Sequence, residues 1–200
     1  MSGIVFLLEE RSAKILLEGL LPRLFPGLPF TCISHEGKRD LELSIPRKLK
    51  AWREPGTRFI ILRDNDSANC VDLKQKLVEL TRGTGRAGVV VRIACQELEA
   101  WYLGDPEALA DAFSHPALAA LKNSGRFQDP DAVSQPSRAL QHLEPGFQKI
   151  SGARLMSSHL TRDGNRSRSY NVFIESVLSQ AGTIGWTPPV TPPPNDVPLT

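Results

Sequence analysis

Four short apolar runs, each followed by a segment with helical periodicity, occupy the first half of the chain. The runs are Ile4–Leu8, Phe30–Ser34, Phe59–Leu62 and Val89–Ala94. A chain in which strands and helices alternate in this way folds as a mainly parallel sheet with helices on both faces, because each helix returns the chain to the end where the previous strand began. The sequence therefore predicts an α/β fold.

The segments between and after these runs predict the rest of the architecture. Apolar spacing predicts helices at Ser12–Leu24, Val71–Thr81 and Glu97–Leu103. A basic helix is predicted at Pro46–Trp52, since proline is tolerated in the first turn of a helix. After Pro106 come short helical pieces separated by proline and glycine, then a longer amphipathic helix at about Ser169–Gln180. We predict a core over 1–105, a C-terminal helical extension packed on it over 106–182, and a proline-rich, disordered tail over 183–200.

Composition argues against membrane and exported proteins. The hydrophobic fraction is 40% and the charged fraction 23%, as in ordinary soluble proteins, and no apolar stretch is long enough to span a bilayer. The N-terminus lacks the basic segment and cleavage site of an export signal. The cysteines Cys32, Cys70 and Cys95 are far apart and lack zinc-site spacing, so we expect reduced thiols in a cytoplasmic protein.

The third apolar run leads directly into two aspartates, Asp64 and Asp66. If the chain stays extended there, both side chains project to the same side, and two hard oxygen donors so close together favour a divalent cation such as Mg²⁺. The crevice beyond the carboxyl ends of the strands is also the usual ligand site of open α/β sheets. The alternative is an Asx-type turn that begins a loop, since Asp, Asn and Ser are all good turn formers.

Two further strand ends carry acids. Glu9 and Glu10 follow the first predicted strand, and Glu97 and Glu99 follow the fourth. In a parallel sheet these ends lie together, so the acids would crowd negative charge that a bound cation must offset. The simpler explanation for each pair is a favourable interaction with the N-terminal dipole of the helix that follows.

This order of parts resembles the Toprim fold, the catalytic domain shared by topoisomerases, bacterial primases and the OLD (overcoming lysogenization defect) nucleases. The resemblance rests on a glutamate that closes the first strand, within Phe6–Ser12, and on the Asp-x-Asp that closes a later one. In the Toprim motif a glycine follows the glutamate. Here Glu10 occupies that place, which leaves both Glu9 and Glu10 as candidates for the functional acid.

The chain from Ile4 to about Glu175 is more closely similar to a Toprim-like bacterial family of unknown function, a neighbour of the RloB and OLD-type groups. The similarity is carried by Leu8–Lys14, Leu62–Ser67, Arg92–Asp105 and Asn165–Ser169. It implies a site dependent on Mg²⁺ or Mn²⁺ that acts on nucleic-acid phosphodiesters, in defence against phage or mobile DNA. It also implies a separate ATPase partner, as for OLD-like proteins.

On this Toprim-like interpretation, Asp64 and Asp66 hold the metal together with Glu99 or Glu97, and the metal stabilises charge on a phosphate oxygen. Glu9 or Glu10 would then serve as a ligand or as a general acid or base. Four basic residues are the candidates to contact substrate phosphates: Lys149 at the reacting centre, and Arg154, Arg166 and Arg168 along the nucleic acid. The net charge of +2 is small, however, and such residues usually lie on solvated surfaces.

Three alternatives remain at the level of function. A topoisomerase needs a reactive tyrosine, and because Tyr102 and Tyr170 both lie in predicted helices, hydrolysis by water is favoured. A catalytically inactive module that binds nucleic acid or a partner would keep the basic segments and could lose the metal. A receiver-like regulatory domain would need a lysine at a further strand end, and the sequence places none there.

Overall fold

Four parallel strands form the centre of the fold in the computed structural model, which describes residues 2–189. They are β1 (Ile4–Leu8), β2 (Phe30–Ser34), β3 (Arg58–Asp64) and β4 (Val90–Ala94). Their order across the sheet is β2-β1-β3-β4, and every neighbouring pair is parallel. The predicted α/β fold is therefore confirmed.

Helices surround this sheet and make up the second half of the described chain. The α-helices are α1 (Arg11–Leu24), α2 (Lys38–Ala51), α3 (Cys70–Thr81), α4 (Ala100–Leu103), α5 (Pro106–Ala112), α6 (Pro136–Leu143), α7 (Lys149–His159) and α8 (Arg168–Thr183). Short 3₁₀ helices span Pro116–Asn123, Gly125–Phe127 and Pro130–Ala132. Among the described residues, none of the helices combines the length and the apolar character needed to cross a bilayer.

A helix is present where one was predicted at Pro46–Trp52, but the predicted start is wrong. Helix α2 begins at Lys38, eight residues before Pro46, and carries that proline in its interior. Leu41, Ile45 and Leu49 lie one helical turn apart and are fully buried. Their packing outweighs the backbone hydrogen bond that proline cannot make.

Strand alternation divides the interior into two layers. Ile60 and Leu62 of β3 face the core shared with α1, α7 and α8, whereas Phe59 and Ile61 face the core shared with α2 and α3. The extension packs on the first layer, where α7 contacts α1 and α8 contacts β4. Arg63 and Asp64 are the last two residues of β3 and continue the alternation, so their side chains leave the strand toward opposite layers.

The predicted tail begins within ordered structure. Thr183 is the last residue of α8. Further along, the Trp186 ring lies 5.7 Å from that of Phe25, and its indole N–H donates a 3.1 Å hydrogen bond to the carbonyl oxygen of Pro26. The remainder of the predicted tail, 190–200, lies outside the described residues.

Candidate functional site

The acidic strand ends meet because β1, β3 and β4 are parallel and end at the same side of the sheet, which is called the carboxyl end below. Leu8 of β1 pairs with Leu62 of β3, and Asp64 of β3 pairs with Ala94 of β4. The residues that follow each strand therefore leave the sheet at nearly the same level. The register brings acids that are far apart in sequence to one end of the molecule.

Asn65 joins the loop after β3 to the loop after β4. Its backbone N–H donates to the carbonyl oxygen of Ala94 at 3.2 Å, and its side-chain Oδ1 accepts from the backbone N–H of Gln96. Its Nδ2 donates to the carbonyl oxygen of Ala68 at 2.7 Å, which closes the turn. The Asn65 side chain is buried, so this central residue of the Asp-x-Asp motif has a structural role.

The expectation that the chain stays extended from Asp64 to Asp66 is wrong. Strand β3 ends at Asp64, and Asp66 and Ser67 adopt left-handed conformations with φ of 48° and 66°. This turn allows the Asp66 backbone N–H to donate a 3.1 Å hydrogen bond to the carbonyl oxygen of Gln96. The Asp66 side chain is consequently exposed and lies 3.7 Å from the Nζ of Lys38, while Asp64 stays buried.

The first of two charge clusters contains Asp64, Glu99, Glu10 and Lys149. Glu99 is 0% exposed, and neither of its carboxylate oxygens has a hydrogen-bond partner. The Lys149 Nζ lies 3.9 Å from Glu99 Oε2 and 3.6 Å from Glu10 Oε2. This arrangement places three carboxyl groups around one ammonium group in the layer of α1 and α7.

Burial controls the titration of this cluster. It raises the pKa of Glu99 to about 7, although the Lys149 charge acts in the opposite direction. Burial likewise raises the pKa of Asp64 well above its usual range, and the charges of Glu99 and Glu9 add to that effect. Two carboxyl groups that hold protons so strongly indicate excess negative charge in a poorly solvated place, which is typical of functional sites.

Lys149 comes from the extension and not from the core. It is the first residue of α7, which packs along α1. Burial acts to lower the pKa of its ammonium group, but the charges of Glu99 and Glu10 outweigh burial and the pKa is raised. Lys149 therefore stays protonated and supplies a fixed positive charge beside the acids.

The second cluster lies in the layer of α2 and α3 and is centred on Arg63. The Arg63 Nε lies 3.6 Å from Glu9 Oε2, and its Nη1 contacts Glu42 of α2. Lys76 of α3 also pairs with Glu42, at 2.8 Å. Burial and the charge of Asp66 raise the pKa of Glu9, and Arg63 only partly offsets this. Glu9 and Glu10, adjacent in sequence, thus pair with different cations, although both line one small cavity with Asp64.

Glu97 and Glu99 also have separate environments. The Glu97 Oε2 accepts a 2.7 Å hydrogen bond from the backbone N–H of Ser137, in the first turn of α6. That bond satisfies a donor at a helix start, where a carboxylate is favoured by the dipole. Of the two glutamates, Glu99 is the one that meets Lys149 and influences Asp64.

Tyr102 is a residue at the site that sequence reasoning missed. Its hydroxyl is buried without a hydrogen-bond partner, and burial, followed by the charges of Glu99 and Asp64, raises its pKa well above the usual value. The phenol is therefore a protonated donor close to both acids. Its position three residues after Glu99, one helical turn along, is the only sequence signal that could have suggested this.

The arginines predicted to bind nucleic acid do not form one surface. The Arg166 guanidinium donates to the carbonyl oxygens of Leu103 and Lys122, at 3.2 and 3.3 Å. Arg168 is exposed at the start of α8, beside a groove lined by β4, and Arg154 is exposed on α7. Arg166 is thus engaged in holding the extension to the core, and only the other two are free for solvent or a ligand.

The segment Asn165–Ser169 braces the helix that carries Glu99. Asn165 Nδ2 donates to the carbonyl oxygen of Trp101 at 2.9 Å, and the Trp101 indole N–H donates to the Ser169 hydroxyl at 2.9 Å. The Arg166 N–H donates to the carbonyl oxygen of Gly104 at 2.9 Å. Two of the four similarity stretches therefore contact each other, which gives them a structural role behind the acids.

The donor chemistry of the site fits a hard divalent cation. Buried carboxylate oxygens without hydrogen bonds, two on Glu99 and one on Glu9, are groups that a cation such as Mg²⁺ would satisfy. Within residues 2–189, however, no three His, Cys, Asp or Glu side chains stand close enough together to hold a metal ion by themselves. Any bound metal would complete its shell with water or substrate oxygens, as Mg²⁺ commonly does.

Comparison with known proteins places the chain in a family. Residues 8–177 match the family described as "Domain of unknown function (DUF4276)". The chain belongs to this family. No curated protein is similar to it at a significant level.

Two solved structures share its architecture. The C-terminal region of the OLD protein of Xanthomonas campestris pv. campestris is 17% identical with a TM-score of 0.55, and the match covers 92% of this chain and 97% of that chain. The C-terminal region of the Burkholderia pseudomallei OLD protein is 13% identical with a TM-score of 0.50, covering 89% and 99%. The predicted relation to OLD-type proteins is confirmed at the level of the fold.

Proposed function

We propose that this member of the family is a metal-dependent phosphodiester hydrolase that acts on nucleic acid, as its Toprim-like motifs imply. The observation that carries the proposal is the environment of Glu99. A fully buried carboxyl group without hydrogen bonds, with a pKa near 7 and close to Asp64, is destabilising unless a ligand compensates for it. Such a group is retained where binding or catalysis needs it.

Asp64 and Glu99 would hold Mg²⁺ or Mn²⁺, with Asp66 at the exposed rim of the same loop. The metal would stabilise negative charge on a phosphate oxygen and favour ionisation of an attacking water. Lys149, protonated between Glu10 and Glu99, supplies positive charge where a phosphate would approach. Glu9, whose pKa burial raises above its ordinary value, is suited to accept a proton from water.

The test compares Asp64→Asn and Glu99→Gln with a matched control. Glu18→Gln removes an exposed carboxylate that pairs with Lys14, one turn away on α1. Each protein is incubated with supercoiled DNA, single-stranded DNA and RNA, with Mg²⁺, with Mn²⁺ or with EDTA. We expect degradation that needs the metal in the wild type and the control, and a loss of at least ~100-fold in both site variants.

Calorimetric titration with Mg²⁺ and Mn²⁺ completes the test. We expect binding by the wild type and the control, and weaker binding by both site variants. Circular dichroism shows whether each variant is folded. If the folded wild type binds no metal and degrades none of the three substrates, the hydrolase proposal fails.

One observation favours a second candidate, a catalytically inactive module that binds nucleic acid or a partner protein. No three metal-binding side chains converge within residues 2–189, and Arg63 and Lys149 already neutralise part of the acidic charge. Such a module would bind labelled single-stranded DNA or RNA equally well in EDTA and in Mg²⁺. It would also keep that binding in the Asp64→Asn protein, which separates it from the enzyme.

We further propose, from the OLD-type relation, that the protein acts in defence against phage or mobile DNA together with a separate ATPase. The described chain matches almost the whole of the C-terminal regions of two OLD proteins, and the OLD-type resemblance of its motifs is what implies the separate ATPase. Co-expression of the protein with the ATPase in phage-sensitive bacteria tests this proposal. The number of phage plaques should fall only when the acidic site is intact, so it should recover when the Asp64→Asn variant replaces the wild type.

A further inference from the structure

Two cysteines that are distant in sequence lie side by side behind the acidic loops. The Sγ atoms of Cys70 and Cys95 are 3.9 Å apart, and both residues are partly exposed and free. Both line a groove of about 650 Å³ between α3, β4 and α8, which gives small molecules access to the sulfurs. Proximity and access together distinguish this pair from an ordinary pair of buried thiols.

The two cysteines mark the ends of the loops that shape the acidic site. Cys70 is the first residue of α3, directly after the turn that contains Asp64 and Asp66. Cys95 directly follows β4 and opens the loop that leads to Glu99. The loops are already joined by the hydrogen bonds of Asn65, so a covalent bond at this point would reinforce an existing contact.

We propose that Cys70 and Cys95 form a site of reversible oxidation, at which a peroxide converts the two thiols into a disulfide that fastens the two acidic loops together. A disulfide has an S–S distance of about 2.05 Å, so the sulfurs must approach by roughly 2 Å from their separation of 3.9 Å. Side-chain rotation and a small movement of the loops supply that distance. Cys70 and Cys95 are 25 residues apart in sequence.

The chemistry requires only a peroxide and the two thiols. The sulfur of Cys70 attacks one peroxide oxygen, the O–O bond breaks, and water leaves, which makes Cys70 a sulfenic acid. The sulfur of Cys95 then displaces the hydroxyl group, which departs as water with the thiol proton of Cys95. The two thiols lose two electrons and the peroxide is reduced to two waters.

The same balance holds if Cys95 reacts first, because both sulfurs are partly exposed and line the same groove. A dithiol such as dithiothreitol reverses the reaction by exchange.

Cys32 provides an internal control. It lies in β2, it is buried, and burial raises its pKa to about 12. The full chain is treated with hydrogen peroxide, unfolded, and its free thiols are titrated. We expect the thiol count to fall from three to one and to return to three with dithiothreitol. Peptide mapping should identify Cys70 joined to Cys95, with Cys32 alkylated.

Variants make the test specific. Cys32→Ser should still lose two thiols to peroxide, whereas Cys70→Ser and Cys95→Ser should give no intramolecular disulfide. Amide hydrogen exchange of the oxidised wild type should slow in residues 64–70 and 95–99. The proposal is overturned if Cys32 takes part, if the link joins two chains, or if the loops exchange as fast as before. None of these measurements depends on the proposed hydrolase activity.

Discussion

Replacing Glu99 by glutamine should make the protein more stable, and increasingly so as the pH rises. Glutamine has nearly the same shape but no charge, so the variant removes the cost of an ionised, fully buried carboxylate, which exceeds the attraction to Lys149 that is lost with it. In the wild type the pKa of Glu99 is about 7 instead of 4.5. The folded state therefore binds the proton more tightly than the unfolded state, and stability falls as the pH increases from about 4.5 through 7.

The size of the effect follows from that pKa difference. The rise from 4.5 to about 7 corresponds to about 3 kcal/mol at pH 8, because each pKa unit is worth about 1.4 kcal/mol. At pH 5 Glu99 is still protonated in the folded protein, and the difference is less than about 1 kcal/mol. For a chain of this length, the gain at pH 8 raises the melting temperature by roughly 6–12 °C.

Urea unfolding at pH 5 and pH 8 in the presence of EDTA measures the difference between variant and wild type. Glu107→Gln is the matched control, because Glu107 is exposed and paired with Lys122, which lowers its pKa. Loss of the Glu107 carboxylate should slightly lower the free energy of unfolding, and it should give no gain in stability at pH 8. If Glu99→Gln stabilises equally at both pH values, or destabilises at pH 8, the assigned environment of Glu99 is wrong.

Other substitutions test the surroundings of the acids. Arg63→Met should cost about 3–5 kcal/mol at neutral pH, since it leaves a buried carboxylate unpaired, and urea unfolding should show the loss shrinking in acid. Lys76→Met removes an exposed partner of the same cluster and should cost less than about 1 kcal/mol. Gly104→Ala places a methyl group 2.1 Å from Asn165 Oδ1 and should cost about 1–3 kcal/mol in thermal unfolding. Gly182→Ala, in open space on α8, should instead stabilise by about 0.5–1 kcal/mol, and equal effects of the two glycine variants would contradict this packing.

The fold could largely be predicted because the sequence patterns that indicate its strands are local. The bounds of β1 and β2 agree with the apolar runs to the residue, since each strand is a short apolar segment that ends at a turn or an acid. The first two turns of α2 were missed because charged residues alternate with its buried apolar residues and a proline interrupts the pattern. Local propensity carries no information about the packing that holds such a helix together.

The site was predictable only in part. That acids follow three strands could be seen in the sequence, and parallel pairing alone brings such ends together. The turn at Asp66, the pairing of Glu9 and Glu10 with different cations, and the approach of Tyr102 could not be seen in the sequence. Each depends on contacts between residues far apart in the chain, such as the bond from Asn65 to Gln96. The structural task of Arg166 was hidden for the same reason.

Charge compensation differs between the two clusters. In the layer of α2 and α3, two carboxylates face two cations: Glu9 and Glu42 against Arg63 and Lys76. This cluster is neutral when all four groups are ionised. The exposed Asp66 likewise has Lys38 nearby. The charges of Glu9 and Glu42 are thus matched in number by those of Arg63 and Lys76.

The layer of α1 and α7 is different, because three carboxyl groups, Asp64, Glu99 and Glu10, surround the single ammonium of Lys149. Full ionisation of the three carboxyl groups would exceed the charge of Lys149 by two, and burial raises the pKa of Asp64 and of Glu99, which favours their protonated forms. A divalent cation carries the two positive charges that would complete this cluster. Charge compensation therefore favours a metal on the Asp64 and Glu99 side of the sheet, with Asp66 oriented toward solvent where a substrate would arrive.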